Sequence, residues 1–373
     1  MIIRINKATD ATDEGIRLFT EISKPPKALV DVKPESYRPQ ILTIGPLHEM
    51  LSGNPVLCDV KASCVNKFMK AHDISDVEEL MKRLFYDPSD LHNHYSGLPN
   101  YSSESFQLLV TVDTIVIREL LVFILTPWDS ILDEHTQFCK ICNNNITYKQ
   151  AVRDLFLMGN QIPMSYLKKL IEEFPNPPNL EMDEIQKVVA DVVKRIDPFP
   201  IRNSQHKSFG TPNFLHCSHL LDWLYVWVIR KPLEENRRKA IEQRADPIPS
   251  DLPSASQLYK AGIRFRAIEG SISVMKYDKR KRRFDLPQLV VQDNTEDLLR
   301  NFLAYEETLI NTGHEFSLYV VTMDSLIKTQ EDLEILSKAF VIQSELGSSE
   351  RLLQMWSAMA KNVVIQPSKD GTR

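Results

Sequence analysis

Apolar positions recur along most of this chain at the helical period. Val60, Cys64 and Phe68, then Val77, Leu80, Met81 and Leu84, predict helix over residues 58–86, broken at His72–Ser75. Over Ser103–Leu125 apolar residues occupy nearly every face, which predicts a centrally placed helix stopped by Pro127. Gln150–Met158 predicts a second apolar helix, followed by a kink at Gly159–Pro163 and a continuation over Met164–Phe174. Asp183, with Gln186 three positions later, reads as the cap of a helix running to Arg195. His216–Ile229 predicts another apolar helix. Thr295–Asn311 (capped by Thr295), Leu318–Ser325, Glu331–Phe340 and Ser349–Lys361 predict a helical C-terminal part. Ile263–Val291 differs: short apolar runs alternate with charged turns and predict strands. The expected fold class is mainly α, a helical globular core with a small antiparallel β-sheet insertion.

Punctuation divides the chain further. Six prolines between Pro25 and Pro55 favour extended segments and turns over a long helix. The expected organisation is an N-terminal lead over 1–24, one large globular domain over 25–361 and a disordered tail over 362–373. Two lobes divided near the polar stretch 197–213 are the alternative.

Composition narrows the function classes. The 373 residues are 43% hydrophobic and 25% charged, enough for a sizeable core, which excludes disorder of the whole chain. A formal charge of -5 argues against wholesale nucleic-acid wrapping. Eleven glycines against 22 prolines are poor material for phosphate-cradling loops. Five cysteines do not make a disulfide framework. The start of the chain carries no apolar run of the secretory kind. The most apolar stretch, Ile115–Thr126, contains Arg118 and Glu119 and falls short of the roughly 18 residues that a membrane span needs. A cytoplasmic protein without a transmembrane segment is expected.

No dinucleotide-binding glycine motif, P-loop, His-Glu-x-x-His or Gly-x-Ser-x-Gly occurs. His135, Cys139 and Cys142 have a spacing that can clasp zinc, but buried structural thiols are the favoured reading, and no metal or cofactor is expected. His216 and His219 lie three apart, so His219 is a candidate base. Four carboxylates sit inside apolar helices: Asp113, Asp154, Asp222 and Glu306. Burying a carboxylate is costly unless it is bonded or paired, so each should meet an Arg, a helix end or an amide. Asn160 and Gln161 can supply amides, and they should satisfy carbonyls freed near Pro163. These carboxylates are the catalytic candidates, with structural locking favoured over catalysis. Lys279–Arg283 holds five consecutive basic residues. It can serve nuclear entry or an anionic ligand. Its flanking Tyr277 and Phe284 do not make a base-stacking platform, so direct nucleic-acid binding is disfavoured.

Several segments taken in order carry a resemblance. They are Tyr37-Arg-Pro-Gln-Ile-Leu-Thr-Ile-Gly-Pro-Leu-His48, Ser105-Phe106 through Val112-Asp113, and Asp154-Leu-Phe-Leu-Met-Gly-Asn-Gln-Ile-Pro163. His216-Cys-Ser-His-Leu-Leu-Asp222, Leu258-Tyr-Lys-Ala-Gly-Ile-Arg-Phe265, Leu286-Pro-Gln-Leu-Val-Val-Gln-Asp293 and Thr295 through Glu306 follow. Met323-Asp324 and Glu331-Asp332 extend them. Over roughly 25–345 the chain resembles the plant-specific domain-of-unknown-function 247 (DUF247, UPF0481-like) proteins. It departs from that pattern where Thr114, Ile115 and Gly159 replace Gly, Cys and Glu. The resemblance implies a plant protein without defined biochemistry, with relatives in pollen–stigma self-incompatibility, defence and development. It also implies a hydrophobic C-terminal anchor in longer members; residues 361–373 carry no such apolar run, so membrane association is expected only of a longer form. It supplies no catalytic residues. The expected function is non-enzymatic protein recognition, signalling or scaffolding, with another protein as partner. The alternative is an enzyme using carboxylates in a helical cavity.

Overall fold

The computed structural model describes residues 21–48, 54–85, 88–125, 136–142, 144–174, 182–200, 216–229, 252–309, 314–361 and 363. His135, residues 175–181, residues 201–215, the charged stretch before Pro253 and most of both termini lie outside them. The Ser103–Leu125 helix forms over 23 residues. Phe106, Val110, Ile115, Leu120 and Phe123 on it are all buried, as an apolar surface on every side requires. Among the described residues five helices pack around it: Pro55–Ala71, Val77–Leu84, the short Pro88–His92, Met164–Glu173 and Met182–Ile196. Asn54 and Asp76 cap the first two, each accepting backbone N–H bonds of the opening turn. A second group comprises Leu220–Ile229, Thr295–Glu306, Glu315–Leu326, Gln330–Lys338 and Ser349–Ala360. One hydrophobic cluster runs from Ile22 to Met359 and joins both groups.

Among the described residues five short strands make two small sheets: β1 (Arg264–Ile268), β2 (Lys276–Asp278), β3 (Arg283–Pro287), β4 (Leu289–Val291) and β5 (Ile342–Ser344). In the first sheet, order β1-β3-β2, β2 and β3 are antiparallel but β1 and β3 are parallel. The expected mainly α fold with a small β-sheet insertion holds; the β2–β3 pair is antiparallel as expected, and the parallel β1–β3 pair makes the sheet mixed. Alternation fixes which side chains share a face, not strand direction. The linker after β1 contains a 3-10 turn, Ile272–Val274, and carries the chain to the far edge before β3 returns between the two. β4 and β5 pair in parallel, which ties the C-terminal part to the first sheet's exit.

The helix expected over Gln150–Met158 spans Asn145–Asp154 instead. Leu155, Phe156, Leu157 and Met158 are buried, yet they lie in tight turns. Phe156, Leu157 and Asn160 each donate to the carbonyl three residues back. Pro163 opens the next helix as its N-cap and does not kink a continuous one. His216–Ile229 is helical only from Leu220. Asp183 lies inside its helix, and Thr295 is the first residue of its helix with Asn294 at the cap.

Candidate functional site

Two of the candidate carboxylates, Asp113 and Asp154, converge with Asn160 on residues 40–45, which form no regular secondary structure. This segment has no strand partner, so its backbone groups need side chains or carbonyls from elsewhere. Asp154, at the end of its helix and fully buried, supplies most of them. One of its carboxylate oxygens accepts from the amides of Gln40, Ile41 and Leu42 at 2.9, 2.7 and 2.9 Å. Its other oxygen accepts from Arg153 at 2.8 Å. Burial pushes the Asp154 carboxyl upward, while the three amides and Arg153 pull it back. All four bonds need an acceptor, so the group works as a carboxylate.

Asn160 follows two residues after the apolar turn. Its Oδ1 accepts from the Ile44 amide at 2.7 Å, and its Nδ2 donates to the carbonyls of Leu42 and Asp154 at 2.9 and 2.7 Å. Gln161 does the same on the other side. Its Nε2 donates to Leu155 and Leu157 carbonyls, and its Oε1 accepts from the Leu221 amide. The two amides therefore satisfy carbonyls of the turn that follows the helix end at Asp154, and Pro163, which would free the Gly159 carbonyl four residues back, is not what frees them.

Asp113, on the central helix, completes the segment. It accepts from the Gly45 amide at 2.8 Å and from Lys61, which also donates to the Thr43 carbonyl. Burial pushes the Asp113 carboxyl upward, against the pull of Lys61 and the Gly45 amide. Gly45 has φ 68°, and a Cβ there would lie 2.4 Å from the Gln161 carbonyl oxygen. Only glycine permits that approach.

Two residues not singled out from the sequence extend the frame. Arg153, 2% exposed, also donates to the Glu35 and Arg38 carbonyls and to Asp297. Asn301 accepts from the Met158 amide and donates to the Ser36 and Asp297 carbonyls. Their available signal was an Arg adjoining a buried Asp, and an amide on the apolar face of Thr295–Glu306.

Asp222 and Glu306 hold other joints. Asp222 accepts from the Ser218 amide at the start of its helix. Glu306 accepts from the Phe316 and Ser317 amides, the Ser317 hydroxyl and the Tyr225 hydroxyl, at 2.9, 2.7, 2.6 and 2.5 Å. This clamps the opening of Glu315–Leu326 to two neighbouring helices. His219 is 2% exposed, and its Nδ1 accepts from the Asp222 amide. Burial lowers its pKa to about 4, against the opposing pull of Asp222. It is neutral at pH 7, with its proton on Nε2.

The structure brings Asp113 and Asp154 onto one segment, but it sets Glu306 on a different joint. A cleft of about 230 Å3 lies by Asp197, Gln292 and Thr295 and is lined by none of the five catalytic candidates. Cys142 is buried, which pushes its thiol up to about 12, and Cys139 is half-buried. Their third expected metal partner, His135, lies outside the described residues. No group of three or more metal-ligating side chains occurs among the described residues. None of the five cysteines forms a disulfide. Among the described residues no helix is long and apolar enough to cross a membrane.

Residues 22–372 match the family DUF247, described as a plant protein of unknown function. A putative UPF0481 protein of Arabidopsis thaliana is 22% identical, over 97% of this chain and 82% of that relative. A second UPF0481 protein of Arabidopsis thaliana is 21% identical, over 92% of this chain and 73% of that relative. No solved structure matches the chain.

Proposed function

This chain belongs to the DUF247 family of plant proteins, and from that premise we propose that it is a non-enzymatic recognition or scaffold protein whose partner is another protein. One observation carries the reading: the buried candidate carboxylates have backbone amides as partners. Among the described residues Asp154 holds three, Glu306 two, Asp113 one and Asp222 at least one. A general acid or base must exchange its proton with a substrate in reach. A carboxylate whose lone pairs hold main chain in place fixes the backbone instead. The enzyme alternative would need at least two of these groups on a solvent-reachable cavity. The proposed setting is the cytoplasm.

The test is affinity isolation from plant tissue with the whole chain as bait. The expected result is recurrent enrichment of one partner, retained when Asp222 or His219 is substituted without loss of folding. Turnover in a metabolite screen that Asp113→Asn or Asp154→Asn abolishes, in variants still folded, would replace this reading with the enzyme.

A further inference from the structure

Residues 260–285 hold nine Lys and Arg against three Asp and Glu, a net of +6 in a chain of net -5. Strand register places this charge on one face of the first sheet. Arg264, Arg283 and Asp278 form one cross-strand row, and Arg266, Asp285 and Lys276 form the next. Alternation puts both rows on the same side. Phe265, Phe284 and Tyr277 make the opposite side: Phe265 stacks on the buried Phe284, and Tyr277 meets it edge to face. The β2–β3 turn then adds Lys279, Arg280, Lys281 and Arg282, all exposed.

This face already holds a carboxylate. Asp285 is fully buried beneath two guanidinium forks: Arg266 donates to both of its oxygens at 2.9 and 2.7 Å, and Arg283 at 2.8 and 3.3 Å. Planar, two-pronged donation suits carboxylates. Arg280 and Arg282 form no ion pair among the described residues.

Arg282 carries a second mark. Its φ is 48°, in the left-handed region where a hairpin turn ordinarily takes Gly or Asn. The Asp278 carboxylate accepts from the Lys281 amide, and the Lys279 carbonyl accepts from the Arg282 amide, so the turn is closed in that geometry. An arginine stands where the backbone favours glycine.

We infer that this sheet face and its turn dock an acidic polypeptide segment, with Arg280 and Arg282 taking carboxylates as Arg266 and Arg283 take Asp285. The inference names the partner's chemistry and rests on the recognition reading for its biological use. Nucleic acid is the poorer fit, because the aromatics that would stack bases face the core. A membrane surface is also a poorer fit, because Lys279–Arg282 offers no apolar side chain to insert.

The probe is a fluorescein-labelled peptide of alternating glutamate and alanine, titrated into the full chain at low and physiological ionic strength. Arg280→Glu with Arg282→Glu should weaken binding about tenfold or more. Lys168→Glu with Lys328→Glu, an equal charge change elsewhere, should weaken it far less. Arg282→Gly separates binding from folding: the peptide should bind more weakly while the thermal midpoint rises. Equal effects of the two double variants, or unchanged affinity in Arg282→Gly, would overturn the inference. So would binding to phosphatidylserine vesicles or polyuridylate without binding to the peptide. If the Arg280→Glu, Arg282→Glu chain captures the same tissue partner as the parent, docking here fails while recognition stands. A parent chain that captures no partner sinks recognition, and the peptide titration still decides the face.

Discussion

Asn160 and Gly45 set the joint between Gln40–Gly45 and the Leu155–Gln161 turn. Asn160 is fully buried and makes three hydrogen bonds to main chain. Asn160→Ala removes all three at once: the Ile44 amide and the Leu42 carbonyl lose this partner, and the Asp154 carbonyl keeps only the 3.5 Å bond from the Leu157 amide. A cost of about 1–3 kcal/mol is expected, read as a lower midpoint in urea denaturation. An unchanged midpoint together with loss of the tissue partner would make this segment a binding surface. Gly45→Ala adds a single methyl, but it meets the Gln161 carbonyl at 2.4 Å and forces an L-residue to φ 68°. At least about 2 kcal/mol is expected, because neither backbone can retreat without breaking the Asp113 or Tyr95 bonds around it. Wild-type stability in Gly45→Ala would mean that the two segments are not tightly seated.

At the scale of elements, the long helices were legible because their apolar residues keep the 3.6-residue period over many turns, as in Ser103–Leu125. Leu155–Met158 was not, since four successive apolar residues fit a buried helix and a buried turn equally well. The amides at 160 and 161 were readable as carbonyl partners, but their bonds to Ile44 and Leu221 depend on contacts distant in sequence. The direction of β1 was hidden for a similar reason. Phe340 shows a local rule broken at an element's end. It follows Gln330–Lys338 at φ 59° and is 63% exposed, in the closing geometry that Gly usually takes. The Val341 amide returns to the Leu336 carbonyl across it. Phe340→Gly is expected to raise stability by about 0.5–1 kcal/mol, the left-handed cost less the added freedom of the unfolded chain. A fall in the urea midpoint would mean that the ring packs more than its exposure indicates.

The whole molecule gathers its ionisable groups into the interior, and this gives its stability a pH dependence with a definite sign. Burial lowers the pKa of both His94 and His219 to about 4, with Asp90 and Asp222 respectively pulling the other way. An unfolded histidine titrates near 6.5. Between about pH 6.5 and 4 the unfolded chain therefore takes up protons that the fold refuses. Stability is full well above pH 6.5 and falls as the solution is acidified, by about 3 kcal/mol for each histidine by pH 4. Asp332 acts in a lower window. Burial pushes its carboxyl upward, but the Ser256 amide and the Thr329, Ser256 and Ser254 groups outweigh this and hold it at about 2. Its contribution is present above about pH 4 and is lost only towards pH 2, so the histidines should dominate the first acid loss. Urea midpoints at pH 7, 5.5 and 4.5 test this in the parent and in a chain carrying His94→Gln and His219→Asn. Asparagine keeps an acceptor for the Asp222 amide that His219 Nδ1 now receives. The double variant is expected to be less stable at pH 7 but much less sensitive to acid down to 4.5. A parent slope retained in the variant would assign the sensitivity to His48 and His72, whose pKa burial also lowers.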